Sequence, residues 1–181
     1  MQPEEIATWA RSGKKKRLWR PDTTTVAVDH GRKAVEQLLP HRDPFLFVDR
    51  ITAIDLDQGA IAAMRRIDPK DPLFAGHFPG HPIYPGVLQL ETMGQLGICL
   101  ASFAARKSTA VGPDVQPTDV RALKIHYAIF VSELGPGDEV EILATLIESD
   151  EYGAICAGQL LKSGAVVAFA LMEVHLPHAA A

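Results

Sequence analysis

Cysteine is scarce in this chain, with two in 181 residues. Cys99 sits in the apolar run "LGICLAS" and Cys156 in "GAICAGQ". Neither has a neighbour at metal-ligand or redox-pair spacing, so both read as buried free thiols in a reducing cytosol. An excess of one charge is also lacking: 18 Lys and Arg stand against 22 Asp and Glu, a net charge of -4 with a pI near 5.9. That balance carries no signature of a nucleic-acid binder. No unbroken apolar run approaches the ~20 residues that cross a bilayer. The amino-terminal "MQPEEIATWARSGKKKRLWRP" has no apolar core of a secretory signal, so a cytoplasmic location is expected. Internal repeats and low-complexity tracts are absent too. What is present, 47% hydrophobic and 22% charged residues, suits one globular domain large enough to bury a core without staples.

Residues 1–30 differ from the rest. "EEIATWA" accounts for one or two helical turns, and positions 11–20, "RSGKKKRLWR", hold six basic residues. The expectation is a basic arm or linker, residues 1–30, ahead of a domain spanning 31–181. Charge runs are usually solvated, so a plain arm is preferred over a docking patch for an acidic partner. In "RKAVEQLLP", Val35, Leu38 and Leu39 mark a short amphipathic helix that Pro40 ends. Residues 45–56 and 60–67 read as strands joined by the turn "DQG". From Gly86, apolar and small residues recur at Val87, Leu90, Gly94, Ile98, Ala101 and Ala105, which marks a helix of about five turns. It is apolar nearly all round, so burial under a sheet is expected. After the polar loop 107–119, residues 120–131, 138–149, 152–162 and 165–176 read as four strands, separated by "LGPGD", "SDE" and "SG". The class is α+β: a long central helix wrapped by a curled antiparallel β-sheet.

The stretch "HFPGHPIYPGVLQLE" (77–91) joins a rigid turn to that helix. Pro79, Pro82 and Pro85 fix φ, while Gly76, Gly80 and Gly86 permit close turns. Gly86 begins the helix, where unpaired N–H groups and the helix dipole offer a place for a carbonyl oxygen gaining charge. His77 is a candidate base. Glu91 is a candidate acid, since a carboxyl in apolar surroundings holds its proton more readily, and Gln95, one turn on, lies on its face. These are the parts that remove a proton next to a carbonyl and expel a β-hydroxyl. A structural histidine in a proline-rich turn and a merely paired buried glutamate remain the alternative at this point. A metal site of His77, His81 and Glu91 is disfavoured, because Pro79, Gly80 and Pro82 break the helix that His-x-x-x-His spacing requires. His30, His41, His126, His175 and His178 form no cluster.

Two blocks, "LLPHRDPFLFVDRI" (38–51) and "FAGHFPGHPIYPGVLQLETMGQ" (74–95), closely resemble the 3-hydroxyacyl-[acyl-carrier-protein] dehydratases of type II fatty acid synthesis, the FabZ/FabA family. The likeness covers roughly residues 33–175. It implies a hot-dog fold and a homodimer with shared active sites, further assembled as a trimer of dimers, in which the histidine of one subunit meets the carboxylate of the other. It also implies roles: His77 as base at the α-carbon, Glu91 as acid on the leaving hydroxyl, Gly86 N–H on the thioester carbonyl, and Gln95 supporting Glu91. The implied reaction converts a (3R)-hydroxyacyl thioester on acyl carrier protein to the trans-2-enoyl thioester and water, with no metal or other cofactor. Glu91, where the dehydratase/isomerase branch carries Asp, favours plain dehydration.

One departure stands out. Where the family commonly reads "FRRPVxPGD", this chain reads "FVSELGPGD" (130–138), with Val131 and Ser132 in place of two arginines. The basic run at 11–20 is the candidate replacement for docking the carrier, and a polyketide-type or other specialised pathway becomes an alternative to housekeeping fatty acid synthesis. Tyr84, Phe103 and Phe130 are candidate walls of an acyl tunnel, or equally core packing. An acyl-thioester hydrolase and a non-catalytic acyl-binding protein on the same fold are the competing functions. Fold alone does not separate them.

Overall fold

The chain forms β1 (Val26–Gly31), β2 (Arg50–Asp55), β3 (Ala60–Arg66), β4 (Arg121–Phe130), β5 (Glu139–Ser149), β6 (Gly153–Lys162) and β7 (Ala165–His175). These strands make one antiparallel sheet in the order β1-β2-β3-β5-β6-β7-β4. The computed structural model describes residues 1–117, 120–150 and 152–175. Position 176, which ends the strand expected over 165–176, lies outside them, as do His178 and parts of the loop 107–119 and of the "SDE" turn. Three helices accompany the sheet: α1 (Pro3–Gly13), α2 (Arg32–Leu38) and α3 (Gly86–Arg106). β2–β3, β5–β6 and β6–β7 are hairpins. After β3 the chain leaves the sheet as α3 and returns at the far edge as β4, and β5 then fills the place beside β3.

α3 lies across the concave face. Met93, Leu96, Cys99, Leu100 and Phe103 are fully buried and share one core with Ile61, Ile142, Ala144, Leu160, Ala168 and Ala170. The sheet approaches so closely that a Cβ on Gly158 would lie 2.6 Å from the Met93 side chain. Both thiols are buried and free; burial raises both, with Cys156 pushed up to about 12. The opposite stripe of α3 is different: Val87 is 70% exposed, and Leu90, Glu91, Gly94, Ile98 and Ala101 are only half-buried. The helix expected to be buried all round is therefore covered on one side only within the single chain. By length and composition α3 is also apolar enough to cross a membrane, although polar Gln89, Glu91 and Gln95 interrupt its apolar run. More than half of it is buried inside this fold.

The segment expected as an arm lies on the other face of the sheet. α1 ends at Gly13, where a Cβ would come 2.3 Å from the Phe169 ring. The side chain of Gln159, buried in β6, accepts from the Leu18 N–H (2.8 Å) and donates to the carbonyls of Gly13 (2.6 Å) and Lys16 (2.8 Å). Trp19 packs against Ala53, Ala60, Ala62, Leu143 and Leu161. Arg17 grips Glu141 with both terminal nitrogens at 2.6 Å. Further on, the hydroxyls of Thr24 and Thr25 donate to Asp55 (2.7 and 2.9 Å). Burial raises that carboxyl, but bonds from the Gln58 N–H and the two threonines outweigh it and hold Asp55 below the usual range. β1 itself pairs with β2. Gln159→Leu strands the buried Gly13 carbonyl and removes the partner of the part-buried Lys16 carbonyl and Leu18 N–H, so it is expected to destabilise the protein by about 1–3 kcal/mol in denaturant melts. An unchanged midpoint would show that this amino-terminal strap is held by its apolar contacts and the Arg17–Glu141 pair without Gln159.

Candidate active site

A 3₁₀ turn (Pro72–Ala75), capped by Asp71 accepting from the Leu73 N–H, delivers the chain to His77. The Leu73 carbonyl accepts from the N–H groups of Gly76 (3.1 Å) and His77 (3.0 Å). The His77–Phe78 peptide is cis. Phe78 and His81 then exchange backbone hydrogen bonds in both directions (3.1 and 3.0 Å), closing a tight loop around Pro79 and Gly80, whose φ is +79°. His81 thus acts through its backbone, while its exposed ring stands 3.4 Å from Glu133.

His77 is held twice by Ile83. Its carbonyl accepts from the Ile83 N–H (2.8 Å), and its Nδ1 lies 2.8 Å from the Ile83 carbonyl. A carbonyl can only accept, so Nδ1 carries the hydrogen and the neutral ring presents Nε2 as its acceptor. The Phe78 ring stacks on the imidazole at 4.2 Å. The loop thus fixes which ring nitrogen of His77 is left as an acceptor.

The loop continues through Tyr84, whose N–H donates to Leu134 O (2.7 Å), to Pro85, the N-cap of α3. Pro85 O accepts from the N–H groups of Leu88 (3.1 Å) and Gln89 (3.2 Å). The N–H of Gly86 finds no partner among the described residues, as expected at a helix start. A Cβ on Gly86 would meet the Phe130 ring at 2.9 Å, so a larger residue would have to push aside the ring that covers the first turn.

Glu91 lies one and a half turns into α3, on its half-exposed stripe. Gln95 Nε2 donates to its Oε1 (2.9 Å), as the one-turn spacing predicts. Gln95, fully buried, is itself fixed: its Oε1 accepts from Phe47 N–H (2.7 Å) and its Nε2 donates to Phe45 O (3.0 Å). The apolar burial expected around Glu91 is incomplete, its side chain being 33% exposed. His41 Nε2 stands 3.3 Å from the same carboxylate oxygen, and the His41 ring lies over Phe45 at 6.3 Å. Spacing along the chain gave His41 no role; it meets Glu91 across fifty residues, and only its place in the "LLPHRDPFLFVDRI" block marked it. The polar contacts of His77 and Glu91 do not include each other within the chain.

The candidate tunnel residues separate. Tyr84 (1% exposed) and Phe103 (fully buried) are enclosed by the core, Phe103 stacking on His30 and Tyr84 packing on Phe74. Burial raises the Tyr84 phenol above its usual value. Phe130 alone stays at the surface, 46% exposed, over Gly86. No group of three His, Cys, Asp or Glu with metal-binding geometry occurs among the described residues.

One long helix wrapped by one antiparallel sheet, with a histidine on the turn before it and a carboxylate inside it, defines the class: a hot-dog-fold protein furnished for acid–base chemistry. The chain belongs to the FabA-like domain family, whose profile matches residues 39–170. It is 35% identical over 134 residues to the 3-hydroxyacyl-[acyl-carrier-protein] dehydratase FabZ of Aliarcobacter butzleri, covering 74% of this chain and 88% of that one. The FabZ of Campylobacter jejuni is 37% identical over 139 residues, 77% of this chain and 92% of the relative. Among solved structures, the dehydratase heterocomplex ApeI:P from Xenorhabdus doucetiae superposes with a TM-score of 0.61 at 17% identity, over 80% of this chain and 91% of that chain, a likeness of fold.

Proposed function

We propose that this protein dehydrates (3R)-hydroxyacyl thioesters, carried on acyl carrier protein, to trans-2-enoyl thioesters and water. The observation that carries the reading is the pinning of His77 Nδ1 to the Ile83 carbonyl, on a loop that runs straight into the unpaired Gly86 N–H. Nε2 takes a proton from the carbon next to the thioester carbonyl. Negative charge then moves onto the carbonyl oxygen, which the Gly86 N–H and the helix dipole stabilise. As the β-carbon–oxygen bond breaks, Glu91 gives its proton to the departing hydroxyl, which leaves as water. Gln95 fixes the carboxyl for that transfer, and these steps use no metal or other cofactor.

The two reacting groups come from different subunits of a homodimer in this reading. Glu91 lies on the uncovered stripe of α3 with Val87, Gly94 and Ile98, and a second copy laid there supplies both the missing burial and a facing His77. A trimer of dimers is the larger assembly that light scattering would register. Two buried free thiols suit a cytoplasmic setting.

The direct test is incubation with a 3-hydroxyacyl thioester while following the enoyl product by absorbance and mass. Enoyl formation supports the reading. Release of free thiol would instead favour a thioester hydrolase, and tight acyl binding with neither product a non-catalytic binder.

The docked basic segment is the proposed contact for the carrier. Lys14, Lys15, Lys16, Arg17 and Arg20 border a cleft of about 620 Å³ with Gly164, Ala165 and Val166. Apart from Arg17, these cations have no carboxylate partner among the described residues. The next residue, Val167, accepts through its carbonyl from the N–H groups of Val131 and Ser132, so the cleft adjoins the place where family arginines are missing. Deletion of residues 1–20 would strip Trp19 from the sheet, so charge reversal is the sounder test. Glutamate at positions 14, 15, 16 and 20 is expected to raise KM for a carrier-bound substrate about tenfold, in a salt-dependent way, without changing turnover of a small thioester. Equal KM values for the carrier-bound substrate would remove this surface from the account.

A further inference from the structure

Arg65 is a cation inside the protein. It is 7% exposed, and no carboxylate pairs with it among the described residues. Its Nη1 donates to the Leu46 carbonyl (3.2 Å), its guanidinium carbon lies 4.5 Å from the Phe47 ring centre and 5.6 Å from that of Tyr84, and its Nε has no partner. Interior charge without a counter-ion is costly, and well-packed apolar residues commonly serve stability as well or better. On the same face of β3, Ile61 and Ala63 are just such residues. Stability therefore gives no reason for an arginine at this strand position.

The groups it touches give one. Leu46 O sits between Phe45 O and Phe47 N–H, and those two are the groups Gln95 engages. Gln95 in turn holds Glu91 at 2.9 Å. Residues 45–47 make no ladder with a strand; beyond the Phe45 N–H bond to the Arg42 carbonyl (2.7 Å), side chains fix this backbone: Gln95 binds on either side of Leu46, and the Leu46 carbonyl accepts from Arg65 (3.2 Å) and, at a longer 3.4 Å, from Arg32. The guanidinium also clamps the ring of Phe47, whose N–H is the donor to Gln95. Its other ring contact, Tyr84, stands two residues before Gly86, so one side chain spans the support of the acid and the approach to the carbonyl-binding N–H.

We infer that Arg65 is a positioning residue for Glu91, acting through the Phe45–Phe47 backbone and Gln95. The inference rests on the dehydratase reading above. A guanidinium suits the task because it donates in plane to a carbonyl while its face stacks on aromatic rings. Methionine fills similar space without donating; lysine keeps the charge and a donor.

The test compares wild type, Arg65→Met and Arg65→Lys on a small 3-hydroxyacyl thioester and follows hydrogen exchange at the Phe47 amide. Arg65→Met is expected to lower kcat roughly 10- to 100-fold with KM within about twofold, the pattern of a misplaced reacting group. The Phe47 amide should exchange faster in that variant although its Tm is not reduced. Arg65→Lys should restore most of the turnover and the protection. Arg65→Met retaining kcat within about threefold would overturn the inference, as would a Phe47 amide protected as in wild type or a loss that lysine does not relieve. The exchange measurement needs no turnover, so a wild type that fails to dehydrate would count against the dehydratase reading alone, while an undisturbed Phe47 would count against this one.

Discussion

His77→Ala is expected to lower turnover of a 3-hydroxyacyl thioester by about 10³-fold or more while leaving the fold intact. A positioned general base contributes roughly 10²–10⁴-fold, and the elimination has no other candidate for Nε2. The variant is informative because little else depends on the ring. The His77 N–H to Leu73 O bond and the Ile83 N–H to His77 O bond are backbone contacts that alanine keeps. Only the Nδ1 bond to Ile83 O and the stack on Phe78 are lost, both at a half-exposed position. A small shift in Tm should thus accompany a near-complete loss of product. His77→Asn sharpens the comparison, since its amide can still donate to a carbonyl but supplies no base. Near-normal turnover in either variant, measured on folded protein of unchanged size, would refute the assigned role.

The helix and the hairpins were legible because their signals are local. Spacings of three and four from Gly86 mark α3 to within a residue or so, and the turns "DQG" and "SG" separate strands as they should. Which side of α3 is covered was not legible, because a helix that packs on a sheet and presents its other stripe outward shows apolar residues all round. β1 escaped notice for a related reason: "VAVDHG" offers few apolar residues and lies half in solvent at the edge. The strand expected from residue 45 begins only at Arg50, since the backbone of Phe45–Phe47 is bonded by the side chains of Gln95, Arg65 and Arg32 in place of a neighbouring strand. Within the candidate site, the one-turn pair Glu91–Gln95 follows from helix geometry. His41 beside Glu91, Arg65 on Leu46 and Gln159 under the strap are meetings across long stretches of chain, and no spacing announces them.

Glu91→Gln is expected to cost a comparable factor, about 10²–10⁴ in kcat, because the amide keeps the shape of the side chain and a contact with Gln95 but has no acidic proton for the hydroxyl. Glu91→Asp keeps the acid and shortens its reach by about 1.5 Å, so it should fall between the two. These losses alone leave open whether the base and the acid serve one chain or two, and mixing the variants decides it. If His77 of one subunit works with Glu91 of its partner, a dimer pairing the His77→Ala chain with the Glu91→Gln chain has one site with both residues replaced and one with both intact. Random exchange of equal amounts makes half the dimers mixed, so the two inactive proteins together should recover about a quarter of wild-type activity through isologous pairing. If both residues act within one chain, every site in every dimer lacks a reacting group and nothing is recovered. The partners seen within the single chain, Ile83 for His77 and Gln95 and His41 for Glu91, lead to the first outcome: each group is fully supported by its own subunit and still lacks the other across the substrate.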